Sequence, residues 1–409
     1  MVNSPKGTAM QNNESNLLVL PWSPDLPGGV SVVVRNLASV WEDAGIPHAI
    51  LVSDWASKRA SSDEKGRLRL KLAIFGRLSP VGLLKSALLW PVTLGRTFGL
   101  LKKRGVTAVY FHYATLDSFG VALLKRLGLF KGRLILCFHG TDVRKPRGRL
   151  ESILWNVVFN ASDAITACSN SLARGVEQTF ALPEGRVVTI YNGVDTAVFS
   201  RRSNSVVPEQ NVFGKGSKPY IVSVGSFIER KGHKFLIEAF ARISGAFPDL
   251  GLVIVGMDGD QRPALEAQVE ALGLQDSVRF RVNLHPVDVA ALVGGAALCV
   301  QPSIAEPFGM AVIEAGAAGV CVAASAVGGH TELISHQQTG FLFDASDASG
   351  IESVLLEALQ DDDRRTRIAE AFHVKVVSGF SWQVCADRYR SSGFAMPQAR
   401  LNQVQVSKQ

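Results

Sequence analysis

Short apolar runs recur along the chain, with stretches of helical spacing between them. The first six occupy residues 17–20, 49–52, 108–111, 134–138, 164–167 and 187–190. Nearly every position in them is apolar, so both faces of each strand need cover, as in a parallel sheet with helices on each side. The pattern starts afresh at residues 220–224, 252–255, 278–282, 297–300 and 320–323, with helices expected over 233–246 and 263–272. Between the two series, residues 200–219 are rich in Ser, Asn, Lys, Gly and Pro and carry no apolar period, which reads as a linker. The expected class is α/β, with two Rossmann-like, doubly wound domains over residues 17–199 and 220–380. Two such domains in tandem are expected to face each other across a cleft, with ligands beyond the carboxyl ends of the strands. Residues 1–16 read as a disordered tail.

Composition agrees with two domains. A chain of 409 residues that is 47% hydrophobic and 19% charged fills two cores of ordinary size. Cys137, Cys168, Cys299, Cys321 and Cys385 form no C-x-x-C pair, and four lie in apolar runs, so they read as reduced core thiols of a cytoplasmic protein. The tail has one Lys, no long apolar run and no small-residue cleavage pattern, unlike a signal peptide. Residues 81–101 are interrupted by Lys85, Pro91 and Arg96, well short of the roughly 18 unbroken apolar residues a membrane span requires.

Charge adds an asymmetry. The net +7 divides into +10 over residues 1–200, with 24 Lys and Arg against 14 Asp and Glu, and −3 over the remainder, with 19 against 22. A basic first half points to an anionic partner such as a membrane surface or a lipid phosphate. Nucleic acid is disfavoured, because no base-stacking aromatic motif or recognition-helix pattern accompanies the charge.

The chemistry concentrates at expected strand ends. After the strand at 297–300 comes S-I-A-E-P-F-G-M-A-V-I-E-A-G, residues 303–316, in which Pro307 and Gly309 mark a turn and a helix pattern runs from Met310 to a stop at Gly319. The N–H groups of Phe308, Gly309, Met310 and Ala311 would then be free to meet a diphosphate, where the helix dipole favours negative charge. Glu306 and Glu314 bracket the turn with seven residues between them. After the strand at 220–224, Arg230 and Lys231 leave the sheet edge as fixed cations suited to a departing phosphate. Gly28 and Gly29 follow the first strand, and paired glycines let a backbone approach a phosphate closely. His139 and Asp142 stand in an H-G-T-D loop after the strand at 134–138.

The setting E-P-F-G-M-A-V-I-E-A resembles the donor-site signature of glycosyltransferase family 4, the large retaining family with the GT-B fold. The resemblance implies that Glu306 contacts the donor sugar and Glu314 the ribose hydroxyls, with Phe308, Gly309, Met310 and Ala311 at the phosphates. The segment from Gly225 to Gly232 resembles the family's G-x-x-x-x-x-K-G element, whose Lys, here Lys231, binds phosphate. Many members carry Arg directly after the first Gly, where this chain has Ser226, so Arg230 becomes the second cation. Gly28 and Gly29 resemble the family's G-G loop facing the donor, and His139 with Asp142 its H-x-x-D element. In the family that His lies beside the sugar, and here Asp142 is expected to orient the imidazole or the acceptor hydroxyl. Asn192 to Asp195 match an N-G-V-D element, and Gly328 to Ile334 match a G-G-x-x-E-x-I helix start in which Glu332 is expected to cap backbone N–H groups. Phe380-Ser381-Trp382 resembles the start of the family's closing helix, expected at about 381–391 and crossing back to the first domain.

From these residues the expected activity is retaining transfer of a hexosyl unit from a UDP- or GDP-linked sugar to a glycan or lipid-linked acceptor, as in making a cell-surface polysaccharide or glycolipid precursor. No metal or other cofactor is expected, since the chain has no D-x-D at a strand end and no His/Cys cluster with ligand spacing. Residues 78–104 mix Leu, Trp and Phe with cations, and on a helix Lys85, Arg96 and Lys103 align within about 20°. That stripe suits peripheral contact with an anionic inner membrane face, or else is the solvated edge of a packed helix, and Pro91 is expected to kink it. Arg144, Lys145, Arg147 and Arg149 could likewise meet an anionic acceptor or only water. The alternatives are a soluble transferase making a small glycoside and a non-catalytic sugar-nucleotide-binding subunit.

Overall fold

The computed structural model describes residues 15–53, 61–72, 80–200, 212–213, 218–344 and 347–392, without the side chains of 80–89. Residues 1–14 of the expected tail, most of the expected linker and the Lys85 side chain lie outside the described residues. The chain divides into two compact units. Unit 1 runs to Thr166, with Glu177–Val188 and the chain from Arg388 onward; unit 2 comprises Ala167–Val176 and Thr189–Asp387. Residues 167–176 and 189–199, expected in the first domain, therefore group with the second. The reason is packing, for Cys168, Val194 and Phe199 are buried in the unit 2 core.

The sheet of unit 1 is built from β1 (Ser15–Leu20), β2 (His48–Ser53), β3 (Ser61–Ser62), β4 (Leu68–Leu70), β5 (Val106–His112), β6 (Arg133–Phe138), β7 (Ala164–Ala167) and β8 (Val187–Thr189). Their order is β3-β4-β2-β1-β5-β6-β7-β8. The pairings of β1 with β2 and β5, of β2 with β4 and of β5 with β6 are parallel, and the edge pair β3 and β4 runs antiparallel. Ser15 and Asn16, expected in the tail, open β1, where the buried Asn16 amide donates to the Pro47 carbonyl.

Unit 2 contains β9 (Tyr220–Val224), β10 (Gly251–Gly256), β11 (Val278–Val282), β12 (Leu298–Gln301), β13 (Val322–Ser325) and β14 (Phe341–Phe343). All are parallel, in the order β11-β10-β9-β12-β13-β14. That is the doubly wound 3-2-1-4-5-6 arrangement, and its direction reverses between β9 and β12. Loops leaving those two adjacent strands must therefore meet. The short strands β3, β4 and β14 escaped the apolar pattern because two to three residues establish no period.

The helices follow from their buried faces. In His233–Ile243, Leu236, Ile237, Phe240 and Ile243 recur at three- and four-residue spacing and are buried on the sheet. Burying each such side chain stabilises the fold by about 1.5–3 kcal/mol. The helix Gly29–Asp43 buries Val33, Val34, Leu37 and Trp41 in the same manner. The expected basic stripe falls on one helix, Pro80–Lys103, which continues through Pro91. Among the described residues no helix is long and apolar enough to cross a membrane. The closing helix is Trp382–Ser391; its first turns belong to unit 2, and Tyr389 packs on Tyr110 and His112 of unit 1.

Candidate active site

In unit 2 the polypeptide leaves β9 through Gly225, makes a short turn over Glu229–Lys231, and enters the helix His233–Ile243 through Gly232. Gly232 has φ +67°, and a Cβ there would lie 2.0 Å from the Pro302 carbonyl oxygen, so only glycine fits. This close approach binds the β9 loop to the β12 loop, helped by the Ile304 N–H donating to the Arg230 carbonyl at 2.8 Å. The Lys231 side chain folds back over Gly225, whose missing Cβ leaves it room at 3.1 Å. Its Nζ reaches Glu306 Oε2 at 2.7 Å, joining residues 75 apart in sequence. Ser303 Oγ donates to the same oxygen at 3.2 Å.

The loop after β13 completes the enclosure. Gly329 N–H donates to the Glu306 carbonyl at 3.0 Å, and a Cβ on Gly328 would lie 2.0 Å from that carbonyl oxygen. Ser325 Oγ donates to the Ser303 carbonyl at 2.6 Å, and His330 Nδ1 lies 3.1 Å from the Ser325 carbonyl. Loops from three strand ends thus hold Glu306, two at its carboxylate and the third at its backbone carbonyl. Burial pushes that carboxyl up, but Lys231, His330 and Arg230 outweigh it and hold it below the ordinary carboxylate range. Glu306 is therefore ionised at neutral pH. Arg230 is half-buried and contributes through its charge, with no ion pair among the described residues.

The turn expected at Pro307 and Gly309 opens the helix Met310–Ala317. Gly309 has φ +110°, and its Cβ would strike the His330 ring at 2.8 Å. Intrahelical bonding begins at Val312 and Ile313, which both donate to the Gly309 carbonyl, so the N–H groups of Met310 and Ala311 precede the first bond of the helix. Phe308 differs from its neighbours: its ring is buried against Tyr191 and Phe380, leaving its backbone as the part that can meet a ligand. Glu314 stands one to two turns along. Burial raises its carboxyl to about 7, with Lys231 pulling it back.

Unit 1 presents Gly28 and Gly29 after β1. Gly28 has φ +144°, begins the helix Gly29–Asp43, and has open space where a Cβ would be, as does Gly29. After β6, the Asp142 carboxylate accepts from the N–H groups of His139 at 3.0 Å, Gly140 at 2.7 Å and Ala114 at 3.1 Å. Asp142 thus organises the loop backbone that carries the imidazole. Burial pushes Asp142 up to about 6 against those hydrogen bonds. The His139 ring instead meets a residue the sequence did not single out, His112 at the end of β5, with Nε2 3.2 Å from His112 Nδ1. Burial lowers His139 to about 4 and His112 well below its ordinary value, so both rings are neutral at pH 7. Of the basic cluster, Arg144 pairs with the buried Glu151 at 2.8 Å.

Residues 208–373 match the model of glycosyl transferases group 1, and residues 27–198 match that of Glycosyltransferase Family 4. The chain belongs to the family 4, group 1 glycosyltransferases. Among its relatives is the N-acetyl-alpha-D-glucosaminyl L-malate synthase of Bacillus anthracis, 25% identical over 71% of this chain and 75% of the relative. The lipopolysaccharide core biosynthesis glycosyltransferase LpsE of Rhizobium meliloti is 29% identical over 56% of this chain and 64% of its own length. The glycogen synthase of Mycobacterium tuberculosis is 29% identical over 62% of this chain, which spans 61% of the synthase. Two solved structures share the fold: a Rickettsia africae glycosyltransferase (TM-score 0.75, 19% identity, 97% of this chain and 100% of that one) and the sucrose-phosphate synthase of Thermosynechococcus elongatus (0.71, 20%, 97% and 100%). The fold is thus GT-B, with two Rossmann-like units.

In this family 4 chain the Glu332 carboxylate accepts from the backbone N–H groups of Asn170 and Ser171, from the Asn170 amide and from Tyr191 Oη, at 2.7–2.9 Å. It caps the helix Asn170–Phe180 rather than its own, which ties residues 167–176 into unit 2. Ser303, Ser325, His330 and His112 are the polar residues of these loops that sequence reading missed. Each is buried, in or beside an apolar strand, and buried polarity inside such a run was the available signal. Among the described residues no three His, Cys, Asp or Glu side chains gather as a metal site.

Proposed function

We propose that this protein is a retaining hexosyltransferase that uses a UDP- or GDP-linked sugar without a metal ion and acts on a glycan or lipid-linked acceptor. The observation that carries the proposal is the Lys231–Glu306 pair beside the open helix start at Met310 and Ala311, a cation and free N–H groups together where two strand-end loops converge. In this reading the N–H groups and Lys231 hold the diphosphate, with Arg230 as a second cation, and they stabilise the negative charge that grows on it as the glycosidic bond breaks. Glu306, ionised and held by three loops, accepts from hydroxyls of the sugar. Glu314 accepts from the ribose. On unit 1, the Gly28–Gly29 turn and neutral His139 are assigned to the donor and its sugar, and Asp142 positions His139 through the loop backbone. The substituent leaves and the acceptor enters on one face of the sugar, which keeps the anomeric configuration.

Thermal shift with a panel of nucleotide sugars, followed by product analysis with the stabilising donor, tests the assignment. Stabilisation by a sugar nucleotide and transfer with retention are expected; a protein indifferent to all of them is not this enzyme. Turnover undiminished by a chelator is expected, and activity abolished by chelation and restored by manganese or magnesium would overturn metal independence. The solved structures of Anabaena HepE that share the fold, one with UDP and one with UDP-glucose, favour uridine in the panel. A second reading, transfer to a small acid, is favoured by the name of the B. anthracis relative, and including L-malate among the acceptors decides it.

Glu314 gives the nucleotide site a pH dependence of defined sign. Because burial raises this carboxyl to about 7, it is mostly protonated near pH 6 and mostly ionised near pH 8. The ionised form accepts ribose hydroxyls with charge assistance, whereas the protonated form has lost acceptor capacity. Nucleotide affinity is therefore expected to rise across that interval. Calorimetric titration checks this, and Glu314→Gln should flatten the profile.

A further inference from the structure

Against the His139 ring stands His112, the last residue of β5, whose surface is 1% exposed. Parallel pairing sets it opposite Cys137 in β6, so His139, two residues further along, projects on the same face of the sheet. Beyond His112 the chain turns at once. Tyr113 adopts φ +65°, rare for a residue with a side chain, and its N–H donates to the Cys137 carbonyl at 3.0 Å. The next N–H, that of Ala114, donates to Asp142 at 3.1 Å. Asp142 therefore binds the backbone near both histidines, at Ala114 and at His139. The two imidazoles lie stacked, 5.4 Å apart at 27°, and the buried Tyr389 ring packs against His112 at 5.3 Å.

The contact between the rings has a defined polarity. Burial keeps both neutral, so each carries one proton, and the pair formed by His112 Nδ1 and His139 Nε2 at 3.2 Å must consist of one donor and one acceptor. The other nitrogen of His112, Nε2, is buried and has no hydrogen-bond partner among the described residues. Were His139 the donor, the His112 proton would sit on Nε2 as a buried N–H without an acceptor. With His112 as the donor, Nε2 keeps only a lone pair. Buried orphan N–H groups are the rarer of the two defects, which places the proton on His112 Nδ1. His139 Nε2 is then the acceptor, and the proton of His139 is on Nδ1.

We propose, resting on the transferase reading of the site, that His112 is a positioning residue for the transfer: its Nδ1–H donates to His139 Nε2 and fixes the His139 ring as the tautomer whose Nδ1–H donates to an oxygen of the donor sugar. Neither ring changes charge in this role. An imidazole able to rotate or to exchange tautomers would present Nδ1 as a donor only part of the time. Holding the ring through its far nitrogen sets the donor before the sugar arrives, so no reorganisation is left for the reaction itself.

Ring-nitrogen NMR of the full chain carrying isotope-labelled histidine tests the pair without any sugar nucleotide, the two rings being assigned from the signals lost in His112→Leu and His139→Ala. In the wild type His139 should show a protonated Nδ1 and a bare Nε2, with a scalar coupling across the bond to His112 Nδ1. In His112→Leu, which keeps the branched shape but has no N–H, His139 should become a mixture of tautomers. The same variant should lower kcat about 100-fold, the cost of a misplaced reacting group, while the thermal shift by the bare nucleoside diphosphate stays that of the wild type. His112→Asn, whose amide can place an N–H where Nδ1 lies, should stay within about tenfold of wild-type turnover. In a His139→Ala background, His112→Leu should cost no more than about twofold further, because no ring is left to position. Should His112→Leu not fold, the wild-type spectrum and His112→Asn still decide. A His139 proton on Nε2, a tautomer unchanged in His112→Leu, full turnover in that variant, or losses that multiply in the double variant would overturn the proposal. Expected ring signals in a wild type that transfers no sugar would instead sink the transferase reading, and with it the role in transfer, while leaving the ring pair intact.

Discussion

Lys231→Ala is expected to lower turnover about 100-fold, the loss of roughly 3 kcal/mol that follows removal of one fixed charge aimed at a developing anion. The geometry adds a complication that makes the test sharper. Lys231 also neutralises Glu306, whose side chain is 12% exposed, so its removal strands a largely buried carboxylate. Some loss of thermal stability should accompany the loss of rate. The double variant Lys231→Ala/Glu306→Gln removes the stranded charge and should recover stability while leaving turnover low. Steady-state kinetics beside melting curves separate the two effects. If the double variant regained activity together with stability, Lys231 would be a structural partner of Glu306 and no more.

Gly232→Ala is expected to destabilise unit 2 by roughly 2–4 kcal/mol, combining a left-handed conformation with overpacking against backbone that cannot rotate away. The added methyl would sit 2.0 Å from the Pro302 carbonyl oxygen, so the β12 loop must shift to admit it. That shift would part Arg230 from Ile304 and Lys231 from Glu306, because the close approach at Gly232 sets both distances. The variant should melt lower and lose stabilisation by a sugar nucleotide. As a control, Gly245→Ala, where a Cβ meets nothing within 4 Å, should melt near the wild-type temperature. A Gly232→Ala protein with unchanged melting and donor response would show that the loops are not locked at this point.

All strands but the short β3, β4 and β14, the α/β class and the turns after β1, β6, β9 and β12 were legible in the sequence, since each depends on residues a few positions apart. Apolar runs signal buried strands, and Gly309 and Gly232 signal turns, whatever the rest of the chain does. The strand order decided the partners. β9 lies beside β12 although three helices and two further strands separate them in sequence, and only that adjacency brings Lys231 to Glu306. In the same way β5 beside β6 sets His112 against His139, and the Asp142 carboxylate meets three N–H groups that the folded loop presents. Residues 167–176 read as part of the first domain because they follow β7, yet Glu332 caps their helix and places them in unit 2. Local spacing fixes what a segment becomes, because helix and strand periods need only neighbouring residues. What a side chain touches depends on which distant strands lie side by side, and that is settled only when the cores pack.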